Sequence, residues 1–539
     1  MIIDSDLGHS GYTHPATELL GLTLLDHQGC ARPQQYRSTS TSSTSSTAFL
    51  LSNVPYTKHT PSLVFGLGSE HPFSNYWTCR GGLAEVIGVL PSREQADILV
   101  IKYFEAVDPV YPMVHRGKFD ADYERFWSLP TEEKCEADSA LLALHFVIYA
   151  MGTQFIPLQS AQERAQIAEF YVSAAHQALR ISGYLSRISL RTIQAMVLIN
   201  YFLMNNNHAS DAWSFGGVLM RQAYAMGLNR DPELIVPRAS PLEKQQRRKV
   251  WQAVLFQDTF LTVLLKLPPT STISDVSVES LTDEPEGERD PDLAPPTANG
   301  MSPLQNPMRI SNIAPPSATT LLPHELADRD YIRTMWRLAN LVQRTICIPR
   351  SLSHPLTSSP REKSSLLSQY RSLFAGVPVS LTSALTSSAV AADQRLAKQC
   401  LFFRSNYHHC VMLILADENE AGGVKCDVRG ALEEARRAIA AFFELWEFLS
   451  VDAGVWWVFQ HRAFEEALMM ARLLVMQEQA DSSPYLRYTK SPIEESLLVV
   501  AKNDIRHVID ILEHVGSGAP EMQKTRVDVL RTVFEEITW

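Results

Sequence analysis

His461 and Glu465 stand four residues apart, the spacing that places an imidazole and a carboxylate on one face of a helix. On a zinc-peptidase helix such a face carries two histidines for the metal and a glutamate as general base. The second histidine is missing here, so the pair reads as a buried hydrogen bond. His408, His409 and Cys410 put ligating side chains side by side. Adjacent helical residues point about 100° apart and cannot share one ion unaided, so packing is the expected role. "GLGSEH" (66–71) begins like a phosphate-binding glycine loop but lacks the third glycine and a preceding strand. His115 and Arg116 carry no catalytic signature and are expected to hydrogen-bond backbone carbonyls at a chain corner. There is no G-x-S-x-G elbow and no Walker sequence. No residue is assigned a catalytic, cofactor-binding or metal-ligating role, and the chain is not expected to be an enzyme.

A second kind of chemistry is charge. Five basic residues fall between Arg238 and Lys249 in a chain of formal net charge -11. The local sequence parses as a helix closed by Gly227, a loop "NRDPELIVPRA", and a capping box Ser240-Pro241-Leu242-Glu243 that opens a new helix. Val250, Trp251, Val254, Leu255 and Asp258 carry the inward face, while Lys244, Arg247 and Arg248 lie on another side. Cations at a helix start gain nothing from the macrodipole, which prefers acids there. Carboxylates at Asp231, Glu233 or Asp258 are the expected partners, giving a salt-bridged face; a nuclear localisation patch and a phosphate contact are the alternatives. The aromatic run "FFELWEFLSVDAGVWWVFQ" (442–460) is expected to fill the core, with an apolar effector pocket or a partner-helix groove as the alternative.

The elements that must position these residues are helical. In "SREQADILVIKYFEAVD", Ala96, Leu99, Val100, Tyr103, Phe104 and Val107 recur at helical spacing, and Ser92 with Gln95 makes a capping box. Ser160 with Glu163, and Ser491, Pro492 and Glu494 with a terminal Gly516, repeat the device. Further helices are predicted at 137–151, 189–205, 210–226, 329–346, 393–416, 428–449, 455–478 and 522–537. No alternating stretch is long enough for a sheet, so the fold class is all-α, a large multi-helical domain. The apolar run "ALLALHFVIYAM" (140–151) is too short to span a bilayer, and no membrane association is expected. Residues 1–89, with the run "STSTSSTSST", are expected to be a mostly disordered linker. A Pro-rich loop at 283–324 separates two helical parts, 90–282 and 325–539, of one regulatory domain, and a shorter break falls near 371–388. Hydrophobic residues make up 45% of the chain, enough for a sizeable core. The seven cysteines include no C-x-x-C pair, which leaves neither a disulfide framework nor a zinc-finger spacing and fits a reducing, intracellular compartment.

Several stretches, in order, resemble the fungal-specific transcription factor domain, the middle homology region of zinc binuclear cluster regulators. "LPSREQADILVIKYFEAVDPVYPMVHRGKF" (90–119) is similar to the family's opening, a helix ending in Tyr-Phe followed by Pro, an aromatic-Pro pair and His-Arg. "AWSFGGVLMRQAYAMGLNRDP" (212–232) is similar to its hallmark helix and Arg-Asp-Pro turn. "EKQQRRKVWQAVLFQDTFLTVLLKLPPTSTI" (243–273) and "NYHHCVMLIL" (406–415) resemble later helices, and the likeness runs over about 90–480. Two departures stand out. Lys266-Leu267-Pro268 occupies the family's Gly-Arg-Pro turn, which leaves the local geometry open. The family's DNA reader is a six-cysteine zinc cluster near the amino terminus, whereas only Cys30 and Cys79 precede residue 90. No cofactor is therefore expected, zinc entering only with a cysteine cluster upstream of this chain.

The resemblance implies a nuclear transcriptional regulator that controls a pathway or gene cluster through effector sensing or protein contacts. Its implied partners are promoter DNA, reached indirectly or through a missing module, a homo- or heterodimer mate, and a small-molecule effector. A DNA-binding-deficient co-regulator or dimerisation module is the alternative, and a helical metabolic enzyme a further one.

Overall fold

A computed structural model describes residues 82–157, 161–206, 208–281, 323–347, 355–481, 492–516 and 521–537. The first half contains α1 (Arg93–Ala106), α2 (Arg116–Ser128), α3 (Ser139–Gln154), α4 (Ala161–Ser182), α5 (Leu190–Asn205), α6 (Ala209–Ala225) and α7 (Pro241–Leu265). Beyond the internal break lie α8 (Pro323–Thr345), α9 (Pro360–Ala375), α10 (Gln394–Ala416), α11 (Val428–Phe448), α12 (Trp457–Asp481), α13 (Pro492–Gly516) and α14 (Glu521–Glu535). Among the described residues there is no strand, only an isolated bridge between Asn419 and Val424, so the fold is all-α.

Local sequence explains where most helices begin. Ser92 accepts from the Gln95 amide at 3.3 Å while the Gln95 side chain accepts from the Ser92 amide at 3.0 Å, the reciprocal box expected of α1. Ser189 and Thr192 repeat it for α5. At α7 only half of the expected box forms: Ser240 accepts from the Glu243 amide, and the Glu243 carboxylate turns to Arg247 instead. The boxes at Ser160 and Ser491 lie outside the described residues, as do the Ser/Thr run and the Pro-rich loop up to residue 322; its last two expected residues, Pro323 and His324, instead open α8. Leu83–Ile87, placed in the tail by sequence, forms a short helix packed on α4.

Two long helices escaped the sequence reading, besides several of four to six residues. α2 places Phe119, Tyr123 and Phe126 on one buried face, but its N-cap is His115, not a residue that announces a helix start. α9 begins at Ser359-Pro360 with Glu362 in its first turn and runs to Ala375, so the break expected from 371 starts five residues later. The rest of that break holds two short helices, Val379–Thr382 and Ser387–Ala392.

Packing follows from how much of each helix is apolar. Every residue from Leu142 to Gln154 in α3, and from Thr192 to Met204 in α5, is buried, as befits helices apolar all round. α3 pairs with α4, α1 and α5; α5 meets α6 and α7; and α10, α11 and α12 form the centre of the second half. α7 against α8 and α5 against α12 join the two halves, α8 in turn packs on α10, and one hydrophobic cluster runs through both. The run at 140–151 is thus core of α3, and among the described residues no helix is long and apolar enough to cross a membrane.

Candidate functional site

The chain corner after α1 is where the helices converge. α1 ends at Ala106, and Val110, Tyr111 and Met113 are buried in the turn that follows. A buried irregular backbone needs partners for its carbonyls. Tyr331 of α8 donates to the Val110 carbonyl at 2.9 Å, and Gln194 of α5 to that of Met113 at 3.0 Å. Gln246 of α7 also donates to Met113, and Lys398 of α10 donates to the Glu105 carbonyl at 2.9 Å. Arg395 of α10 grips Asp108 at 2.8 Å and Asp328 at 2.7 Å. Burial pushes the Asp108 carboxyl up to about 6, with Arg395 only partly offsetting it. Tyr111 stacks on Tyr201 with centroids 3.6 Å apart. Four distant helices are thus fastened to one stretch of irregular backbone. His115 plays a different part from the one expected: its Nδ1 caps α2 by accepting from the Lys118 amide at 3.1 Å.

The 227–273 segment is built on two carboxylates. Gly227 has φ 70°, and the Gly227 and Leu228 amides close α6 onto the Tyr224 and Ala223 carbonyls, a Schellman motif that needs the left-handed conformation. Asp231 caps the turn after it through the Glu233 amide and accepts from Arg248 at 3.2 Å. Lys244 reaches Glu233 at 2.5 Å, and Arg247 reaches Glu243 at 3.2 Å. The basic run is therefore the salt-bridged face expected, with Asp231 and Glu233 as partners and Arg248 itself buried. Asp258 is not a partner. It accepts from the Thr270 and Ser271 amides at 3.0 and 2.9 Å and from the Ser271 hydroxyl at 2.6 Å, fixing the turn that follows α7.

That turn contains the departure at Lys266. Its φ of 56° is the sole positive value for a non-glycine among the described residues. A side chain in the left-handed region costs about 1–2 kcal/mol relative to glycine, so something must hold it there. The Lys266 ammonium reaches Glu465 of α12 at 2.6 Å, tying the turn to the second half of the protein. Lys266→Gly and Lys266→Ala both lose this ammonium, so their difference isolates the backbone. In urea unfolding the glycine variant is expected to be about 1 kcal/mol more stable than the alanine variant. Equal stabilities would show that the turn relaxes without strain.

The other candidate side chains are placed apart. His461 and Glu465 do not bond to each other. His461 Nε2 lies 3.3 Å from the Leu264 carbonyl and Nδ1 3.3 Å from Arg526, a set of partners that suits a neutral ring with its proton on Nε2. Burial and the Arg526 charge hold its pKa down at about 3. Burial alone would raise Glu465, but the Lys266 ammonium bonded to it more than offsets this and leaves it at about 2. His408 and His409 diverge as helical geometry requires, His408 to Glu434 at 2.6 Å and His409 to Glu466 at 2.9 Å. Beside the second pair, the buried Arg462 donates to Asn406 at 2.6 Å and Ser405 at 3.2 Å. In the aromatic run, Phe442, Trp456 and Phe459 are core, while Phe443 and Trp446 pack on His507 and His514 of the chain's own α13. The "GLGSEH" stretch lies outside the described residues.

An apolar cleft opens elsewhere, where the corner, α7 and α8 meet. Tyr111, Met113, Phe256, Tyr331 and Trp336 line it, with Gln252 and Lys249 supplying its polar groups. Nothing in the sequence singled out this place, because its walls come from three segments about 80 to 140 residues apart.

Comparison with known proteins places these features. Residues 100–315 match the model of the fungal specific transcription factor domain, a span narrower than the ordered likeness over 90–480 suggested. Among curated proteins, a Zn(2)-C6 fungal-type transcription factor, mpsB, of Macrophomina phaseolina is 27% identical over 192 residues, 34% of this chain and 25% of that protein. Sorbicillinoid biosynthetic cluster transcription factor 2 of Penicillium rubens is 29% identical over 195 residues, 34% of this chain and 28% of its own length. An uncharacterized transcriptional regulatory protein of Schizosaccharomyces pombe, C139.03, is 26% identical over 186 residues, 33% of this chain and 29% of its own. The matched part thus spans little more than a quarter of these relatives.

Proposed function

We propose that this chain, whose residues 100–315 are a fungal specific transcription factor domain, is a transcriptional regulator that controls a pathway or gene cluster from the nucleus. The observation that carries the reading is the family match, which takes in the corner at 108–113, the Arg-Asp-Pro turn at 230–232 and the whole of α7. A relative named for a biosynthetic cluster supports the choice of target. On this reading the two helical parts, 90–282 and 325–539, act as one regulatory domain, which the shared hydrophobic cluster supports. The domain responds to an effector or a protein partner and catalyses no reaction.

The basic run of α7 gives little to DNA on this reading. Lys244, Arg247 and Arg248 are spent on carboxylates, and a phosphate contact needs cations free to replace counterions. Promoter contact comes instead through a separate module or a dimer mate. Chromatin immunoprecipitation of the epitope-tagged chain, with imaging of the same strain, tests the proposal. Promoter enrichment together with nuclear signal is expected, and deletion of the gene should alter transcripts of the enriched loci. Cytoplasmic retention with no enrichment would overturn it.

A further inference from the structure

A polar cleft opens in the second half, where α9 and α11 both lie against α10 but make little contact with each other. Its free space is about 580 Å³, within the range of small-molecule sites. Ala375 at the end of α9 and Gly430 in the first turn of α11 keep its walls low. Phe374, Tyr407 and His408 give it an aromatic side, the Phe374 ring centroid lying 4.7 Å from that of Tyr407 and 5.9 Å from that of His408. The charges around these rings are matched with one exception. Arg429 pairs with Glu433 at 3.1 Å, Glu434 takes both His408 at 2.6 Å and Arg437, and Asp427 caps α11 through the Gly430 amide at 2.9 Å. Arg371 of α9 lines the cleft and has neither a carboxylate partner nor a hydrogen bond among the described residues. Arg371 and Arg437, on opposite walls, both bring positive charge to bear on the Tyr407 hydroxyl, so the free guanidinium stands beside the rings.

We infer that the cleft between α9, α10 and α11 binds an organic monocarboxylate carrying an aromatic ring, with the carboxylate on Arg371 and the ring against Phe374 and His408. A planar guanidinium meets a carboxylate through two parallel hydrogen bonds, which fixes the acid end of such a ligand. Repulsion selects the charge. A second negative group would face Glu433 or Glu434, and a cation would face Arg371. The free space admits a fused-ring acid with room to spare. The cleft thereby supplies the effector site of the proposed regulator, and the inference rests on that reading only for what binding causes, not for binding itself.

2-Naphthoate and 2-naphthamide are the probes, alike in shape and different in charge. Ligand-observed saturation-transfer NMR titrations on the full chain are expected to show the acid binding at least about tenfold more tightly than the amide, a preference that Arg371→Gln abolishes. Arg371 is exposed, so the urea midpoint of this variant should match that of the parent. Arg361→Gln removes the same charge from the same helix about 15 Å away along its axis, and is expected to leave binding unchanged. Ala375→Trp, which fills the cleft without altering its charges, is expected to weaken both probes alike. Absence of 2-naphthoate binding to the folded parent, an equal loss in Arg361→Gln and Arg371→Gln, or binding unmoved by Ala375→Trp would overturn the assignment. A reporter driven by an enriched promoter, in strains carrying the parent chain or Arg371→Gln, separates the two claims. Arg371-dependent binding with an unchanged reporter supports the cleft and counts against effector control alone. Failed binding beside intact promoter enrichment overturns the cleft and leaves the regulatory reading standing.

Discussion

Gly152→Ala is expected to destabilise the protein by about 3 kcal/mol or more, the upper end of what overpacking a core does. Gly152 lies on α3 where that helix crosses α1, and a methyl group there would stand 3.0 Å from the Leu99 carbonyl carbon and closer still to its oxygen. The obstacle is backbone, not the end of a flexible side chain, so it cannot swing aside. Either α1 lifts off α3 or α3 bends, and both loosen the corner at 108–113 that follows α1. Gly217→Ala is the control. It also sits within a helix, but a methyl group meets nothing within 4 Å there. That substitution is expected to gain about 0.5–1 kcal/mol from helix propensity. Urea unfolding of the two variants should therefore move in opposite directions; a Gly152 variant as stable as the parent would show that the two helices are not in rigid contact.

What could be read from sequence was what depends on neighbours along the chain. The box at Ser92, the Schellman closure at Gly227 and the apolar periodicity of α1 are local, and all three stand in the structure. Asp231 and Glu233 were legible as partners because the loop folds straight back onto the first turns of α7. Asp258 was a poor candidate for a reason already present in helix geometry: ten residues beyond Arg248 is about 15 Å along the axis, beyond side-chain reach. The pairs that fasten the halves were not legible at all. Asp108 with Arg395 and Lys266 with Glu465 join segments 287 and 199 residues apart, and His409 with Glu466 joins α10 to α12 within the second half; the register of all three is set by packing. His461 and Glu465 show the same limit from the other side, since their spacing was right for a pair yet each found a stronger partner elsewhere. The apolar cleft belongs with these, because its walls come from segments far apart in the sequence.

His145→Met is expected to leave stability near about pH 7.5 within about 1.5 kcal/mol of the parent and to protect the protein in acid. His145 is fully buried on α3, with ring centroids of Phe119, Tyr123 and Phe126 at 5.5, 5.4 and 5.3 Å and neither nitrogen hydrogen-bonded. Burial, with a smaller push from Arg191, holds its pKa down at about 3. The unfolded chain takes up a proton near the ordinary histidine value, so between about pH 6.5 and 3 it binds more protons than the folded protein and stability falls as pH falls. At about pH 4.5 this one residue costs about 2–3 kcal/mol, and methionine abolishes the term. His461, held at about 3, and His176, held at about 4, add losses of the same sign. Asp108 works the other way, because a carboxyl raised to about 6 is protonated in the folded protein before the unfolded one and gains stability as pH drops through that range. Glu169, raised to about 7 by burial, gains in the same way; the two carboxyls offset about two of the three histidines, so the protein should still lose stability in mild acid, and His145→Met should shift the acid midpoint downward. Acid titrations followed by far-UV circular dichroism decide the matter. An unshifted midpoint would mean that His145 protonates in place, which its aromatic surroundings could accommodate only by turning their ring faces toward the new charge.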